Sequence, residues 1–201
     1  MFKRYGPVGV IPAGFLNAII KWRGDMHTEN SIRSVGDILT DKIPLPHEAG
    51  VYAFWWIADR AELLAADRQI VLKGPGGNDV SVHYEEWWPE ELKFPCLYVG
   101  KTTNIRKRFS QHIMRNTKPD GRLHMAHSNF FKVLPYNSSC QLRFGIEHIF
   151  PKEEGVLKTI KRAVGFSYTT DFPNNAIAER FFMEDRLVGT WRPWFNVDSE
   201  R

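Results

Sequence analysis

The run Gly50-Val51-Tyr52-Ala53-Phe54-Trp55-Trp56-Ile57 restricts the fold more than any other stretch. It has no charged side chain, and its residues are mostly β-branched or aromatic. Such a run, of strand length, predicts a β-strand. Apolar side chains on both of its alternating faces predict a central strand buried on both sides. A sheet covered on two faces needs a large apolar supply. The chain has it: 201 residues, 43% hydrophobic and 13% aromatic. That size predicts one domain with additions.

Residues 1–49 begin rich in Pro and Gly and then turn polar. Short helices are expected at Phe15–Trp22 and Ser34–Thr40, the second through Val35, Ile38 and Leu39. Pro44, Pro46 and Gly50 separate this N-terminal arm from the main domain, residues 50–201. After the central strand, Asp59–Asp67 predicts a helix. Gln69–Leu72 and Val80–Tyr84 predict two strands around the Gly74–Asp79 turn, a β-hairpin. That glycine-rich turn lacks the Gly-Lys-Ser/Thr ending of a phosphate loop.

Cys96–His112 predicts a strand, a polar turn and a basic helix. Leu97–Val99 is expected to pair with the first strand. Thr102, Thr103 or Asn104 is suited to cap the helix. Ile105, Phe109 and Ile113 recur at i, i+4 and i+8 as its buried stripe. Arg108 and His112, also four apart, fall at the edge of that stripe. Arg106, Lys107 and Arg115 are expected to face solvent or phosphate. Pro119–Arg122 predicts a turn and Met125–Leu134 a helix. Gln141–Phe150 places Leu142, Phe144, Ile146, His148 and Phe150 on one alternating face, predicting a third strand. Around Leu157–Val164 a helix is expected, followed by irregular sequence. A long helix is expected over Ala176–Thr190, capped by Asn174 and Asn175. Its apolar face would be Ile177, Phe181, Glu184 and Val188. A carboxylate on such a face must be paired or bound to a cation. Arg180 and Arg186 are the local candidates for a pair.

The expected class is therefore α/β, with a small, mainly antiparallel three-stranded sheet flanked by helices. A net charge of +4 is compatible with a polyanionic partner. Cys96 and Cys140 match neither a zinc spacing nor a disulfide framework, and read as reduced, buried thiols. No apolar run approaches the roughly 18–20 residues of a membrane span. No signal-like segment is evident, so a cytoplasmic location without membrane contact is expected. His124 and His127 read as loop residues. Trp87, Trp88, Trp191 and Trp194 read as core rather than base-stacking platforms.

Taken together, Gly50-Val51-Tyr52, Tyr98-Val99-Gly100, Arg108, His112 and the Glu184…Pro193-x-x-Asn196 ending resemble the GIY-YIG nuclease family. The histidine four after the arginine is similar to its restriction-endonuclease branch. The ending looks like the excision-repair and restriction branches. The resemblance covers about 50–54, 96–113 and 175–196. It departs from the family in one respect: 45 residues lie between Tyr52 and Tyr98, where the family has a short loop. The helix and hairpin, at about 58–95, are read as an insertion between the first two core strands. A hairpin end tolerates one because closure cost rises slowly with length.

The resemblance implies a DNA endonuclease dependent on a divalent metal, Mg2+ or Mn2+, one ion per active site and held by Glu184. Tyr52 or Tyr98 would take a proton from the attacking water, either as a phenolate favoured by the metal, Arg108 and Lys101 or with His112 accepting its proton. Arg108 would grip phosphate oxygens, which its planar donor fork suits. Asn196 would hold the site by hydrogen bonds. Lys101, Arg106, Lys107 and Arg115 would contact DNA. The branch implies a type II restriction-like enzyme on double-stranded DNA, with a homodimer to cut both strands. The alternatives are a structure-selective, repair or phage/defence nuclease, or a catalytically silent nucleic-acid-binding module. Sequence reading would fall to the insertion, the arm and the 114–140 region.

Overall fold

The computed structural model of the chain describes residues 26–73, 79–114, 141–151 and 155–196. A four-stranded antiparallel sheet runs through it. In chain order the elements begin with β1 (Arg33–Ser34), α1 (Val35–Thr40), β2 (Gly50–Trp56) and α2 (Arg60–Leu64). There follow β3 (Gln69–Lys73), β4 (Asp79–His83), β5 (Cys96–Thr102) and α3 (Ile105–Met114). The chain continues with α4 (Gln141–Ile149), α5 (Val156–Ala163), β6 (Val164–Thr169) and α6 (Ile177–Trp191), and a 3-10 turn spans Trp194–Asn196. The sheet order is β1-β6-β2-β5, and β3 pairs with β4 in a separate two-stranded sheet.

β2 is central, as its sequence predicts, and every one of its residues is buried. Its alternating side chains feed two layers. Tyr52 and Phe54 meet α3, Phe54 stacking on Phe109 with ring centroids 6.4 Å apart. On the other face Trp55 packs on Trp191 of α6, 4.8 Å between centroids. Full burial of rings of this size dominates the energetics of a core. β5 pairs with β2 as expected, Tyr52 standing opposite Gly100.

The sheet has four strands rather than three, and the predicted third strand is a helix. Gln141–Ile149 is α4, with Leu142, Ile146 and Ile149 buried at i, i+4 and i+7. Leu142 and Ile146 also fall on the alternating face with Phe144, His148 and Phe150, so periodicity alone does not decide between strand and helix. Packing does: a Cβ on Gly145 would lie 2.5 Å from the Phe195 ring, so the helix backbone presses directly on that ring. The strand neighbouring β2 is instead β6, in sequence expected to be irregular. Its small residues are tertiary choices. Ser167 Oγ accepts a hydrogen bond from Trp55 Nε1 at 2.8 Å. A Cβ on Gly165 would meet Ile32 at 2.4 Å. β1 extends β6, and Ser34 then caps α1 by accepting from the Asp37 amide at 2.9 Å.

α6 also differs from expectation. Its buried stripe is Arg180, Met183, Leu187 and Trp191, whereas Ile177, Phe181 and Phe182 are exposed. Arg180, buried, spends its guanidinium on the Pro173 and Asn174 carbonyls. Ala176, not an asparagine side chain, occupies the N-cap, without a side-chain capping bond.

α2 and the β3–β4 pair lie in sequence between β2 and β5. The segment that follows β4 is fastened to the 194–196 turn: Tyr84 stacks on Trp194 at 5.2 Å, and Trp88 lies 4.5 Å from the same ring. Trp88, Trp191 and Trp194 are core residues, as is Cys96. The helices expected at Phe15–Trp22 and Met125–Leu134, the 119–122 turn, Arg115, His124, His127 and Cys140 lie outside the described residues. So does most of the Gly74–Asp79 turn. No helix among the described residues is long and apolar enough to cross a membrane.

Candidate active site

Three predicted residues, Tyr52, Arg108 and His112, meet at the Tyr52 hydroxyl. It lies 2.8 Å from Nε2 of His112 and accepts from Nε of Arg108 at 3.0 Å. Each partner reaches it because of local structure. Asn104 caps α3 by accepting from the Lys107 amide at 2.8 Å, which fixes where the helix starts. Ile105, Phe109 and Ile113 bury their stripe on the sheet as predicted. Arg108 and His112, one turn apart, then both face β2. His112 is fully buried rather than at the rim. Arg108 is half-buried, and its Nη1 also donates to Gln111 Oε1 at 3.4 Å. Nothing in the spacing marked Gln111 beforehand.

Gly100 makes room for this phenol. A Cβ there would stand 2.4 Å from the Tyr52 oxygen and 2.9 Å from Tyr98 Cε1. The Tyr52 ring therefore rests against bare backbone of β5.

Tyr98 borders the same cluster. Its ring centroid is 6.1 Å from that of Tyr52 and 5.2 Å from that of His112. Burial raises both phenols above their ordinary range, Tyr52 more strongly. Arg108 opposes that rise at both, and each tyrosine is further raised by a neighbour: Tyr52 by Tyr98, and Tyr98 by Glu184. Burial weakens the charge on Arg108, but Tyr52 and then Tyr98 outweigh it and leave its pKa raised. His112 is pushed down to about 3 by burial and then by Arg108, so it is neutral near pH 7. Its Nδ1 is buried without a hydrogen-bond partner among the described residues.

Glu184 and Asn196 approach along the outer edge of β5. Asn196 accepts from the Val99 amide at 2.7 Å and donates to the Val99 carbonyl at 2.8 Å, occupying both backbone groups. Glu184 Oε1 accepts from the Lys101 amide at 3.1 Å, and Oε2 pairs with Lys101 Nζ. Glu184 is thus paired across 83 residues with Lys101, not with Arg180 or Arg186. Lys101 Nζ also lies 3.7 Å from the Phe181 ring centroid, a contact the sequence did not signal. Arg106 and Lys107 are exposed on α3, with Arg106 Nη1 3.2 Å from His47 Nε2.

The structure therefore brings Tyr52, Tyr98, Arg108 and His112 together on one face, and Glu184, Asn196 and Lys101 along the adjoining edge. Among the described residues no three His, Cys, Asp or Glu side chains gather as a metal cage. The donor set on offer is one carboxylate. That suits Mg2+ or Mn2+, which keep waters and take substrate phosphate oxygens, and does not suit a structural zinc site.

Neither the curated proteins nor the solved structures provide a match. Residues 91–172 match the family model of the GIY-YIG catalytic domain, an endonuclease domain. The matched region holds Tyr98, Lys101, Arg108 and His112 and ends before Glu184 and Asn196, while Tyr52 precedes it. Across those residues the chain is similar to a nuclease catalytic domain.

Proposed function

We propose that this chain is a divalent-metal-dependent DNA endonuclease of the type II restriction kind. The observation that carries the reading is the meeting of Arg108, Tyr52 and His112 at one phenolic oxygen beside the Glu184 edge. Phosphodiester hydrolysis needs an activated water, neutralisation of a charged transition state and help for the leaving oxygen. Tyr52 has the arrangement of a base. Arg108 donates to its oxygen, and the phenolic proton has His112 Nε2 and Tyr98 beside it. The burial that keeps His112 neutral also makes it a weak acceptor, so transfer to Nε2 accompanies the proton's arrival from water and does not precede it. As the phenol takes a proton from water, its own passes to His112. Neither phenol is a standing phenolate, since burial raises both, so the two transfers accompany the attack. The remaining Arg108 donors suit a phosphate oxygen.

Glu184 would hold Mg2+ or Mn2+, which would supply Lewis-acid stabilisation of the phosphate and leaving oxygen. Asn196 keeps β5 in place beside it. Lys101, Arg106, Lys107 and Arg115 would meet the DNA backbone. The α2–β4 region, about 58–95, is the insertion of this reading, and with 1–49 and 114–140 it would read sequence. One such centre cuts one strand, so a homodimer would cut both.

Incubation with plasmid DNA, with and without Mg2+, tests the proposal. Discrete Mg2+-dependent fragments are expected. Nicks, smears or cutting of branched DNA alone would favour a repair, defence or structure-selective nuclease. Binding without any cleavage would identify a silent module. Glu184→Ala should abolish cleavage and leave DNA binding largely intact. Full cutting by that variant would remove Glu184 from the site.

A further inference from the structure

Lys101 and Glu184 each have a second expected partner, a phosphate for the lysine and a metal for the carboxylate. As the chain stands, they satisfy each other. Both carboxylate oxygens are engaged by the same residue, one by its amide and one by its ammonium. The side chains are 26% and 15% exposed, so water competes poorly for the pair. The ammonium also sits over Phe181, one turn before Glu184 on α6. Phe181 is 49% exposed, on a helix whose other side is buried. A cation over a ring face accounts for an aromatic kept at the surface.

We propose that Lys101, steadied by Phe181, is an internal stand-in for the metal. Its ammonium closes Glu184 until a substrate phosphate draws it away, and the carboxylate then accepts the divalent ion. The inference rests on the assignment of Glu184 as metal ligand. Two cations in contact with one carboxylate repel each other, so the ion must displace Nζ. A phosphate oxygen offers Nζ a new partner as it leaves. Metal and DNA are then coupled through one side chain, and by linkage each tightens the other. The arrangement weakens the hold on the metal about tenfold when no strand is present. Phe181 is a positioning residue: it acts on the carboxylate only through Lys101.

The test is Mn2+ binding to the full chain without DNA, followed by electron paramagnetic resonance. Lys101→Met should bind Mn2+ about tenfold more tightly than the unaltered chain, the factor imposed by a pair closed nine-tenths of the time. Phe181→Leu should tighten binding by about twofold to fourfold, as loss of one partly exposed cation–π contact allows. Glu184→Gln should lose the site. If Glu184→Gln loses it but neither Lys101→Met nor Phe181→Leu binds more tightly, the stand-in is wrong and the metal assignment survives. If Glu184→Gln binds as the unaltered chain does, the metal assignment fails and takes the stand-in with it. Circular dichroism checks each variant for folding. Should Lys101→Met unfold, Phe181→Leu decides alone.

Discussion

Tyr52 and Tyr98 are near neighbours with unequal surroundings, and in the proposed reaction the difference gives them different work. Tyr52 has a proton acceptor at 2.8 Å and a cationic donor at 3.0 Å. The hydrogen bonds of Tyr98 run to Tyr52 and Arg108, and it meets His112 ring against ring rather than at a ring nitrogen. Tyr52→Phe should therefore reduce cleavage by about 10²–10⁴, the usual range for a lost general base. Tyr98→Phe should reduce it far less. Steady-state cleavage of a single-site plasmid measures both, and the reverse order would make Tyr98 the base. His112 carries a second prediction. Its pKa is about 3 in the folded chain and about 6.5 when unfolded. Below pH 6.5 the unfolded chain takes up a proton that the folded chain refuses, so this contribution to stability is complete above that pH and is lost as pH falls towards 3. Urea unfolding of His112→Gln should show a shallower loss of stability between pH 6 and 4, by up to about 1.4 kcal/mol per pH unit. Equal slopes in the two proteins would mean that the imidazole is not buried neutral. At this scale the sequence was informative where partners share one helix, as Arg108 and His112 do. The Lys101–Glu184 pair was not legible, because nothing local links residues 83 apart.

Elements were legible where one face alone is buried, as in α3, or where a run is apolar throughout, as in β2. Two segments were misread for the same reason: their composition answers to particular neighbours. α4 contains an alternating and a helical pattern at once, and only contact with Phe195 selects the helix. β6 spends two of its six positions, Gly165 and Ser167, on Ile32 and Trp55 rather than on a periodic stripe. On α6 the sequence favoured Ile177 and Phe181, yet the helix turns Met183 and Leu187 inward. Asn196 shows how a turn supports a strand. Its amide makes two bonds to Val99, at 2.7 and 2.8 Å. Asn196→Ala should cost about 1–3 kcal/mol, through lost bonds and two backbone groups left to find water. Chemical denaturation gives the value, and a change below a few tenths would mean that β5 does not depend on this side chain.

Across the whole molecule the site is drawn from both layers that cover the sheet. The phenol and its partners come from β2, β5 and α3, and the carboxylate comes from α6 on the Trp191 side. No single layer holds a complete set. Loss of cleavage and loss of far-UV circular dichroism should therefore share one denaturant midpoint, as in a cooperative transition. Activity vanishing well before the spectrum would show that α6 detaches on its own.

The placement of Asn196 and Glu184 has one more consequence. Among the described residues β5 ends the sheet on its side, and an uncovered outer strand invites pairing with a strand of another molecule, the usual route into aggregates. Here Asn196 occupies the backbone groups of Val99, and Glu184 takes the amide of Lys101. The two polar residues proposed for the chemistry thus also occupy the outer edge of the strand, and a substitution at either one should act on solubility as well as on the proposed turnover.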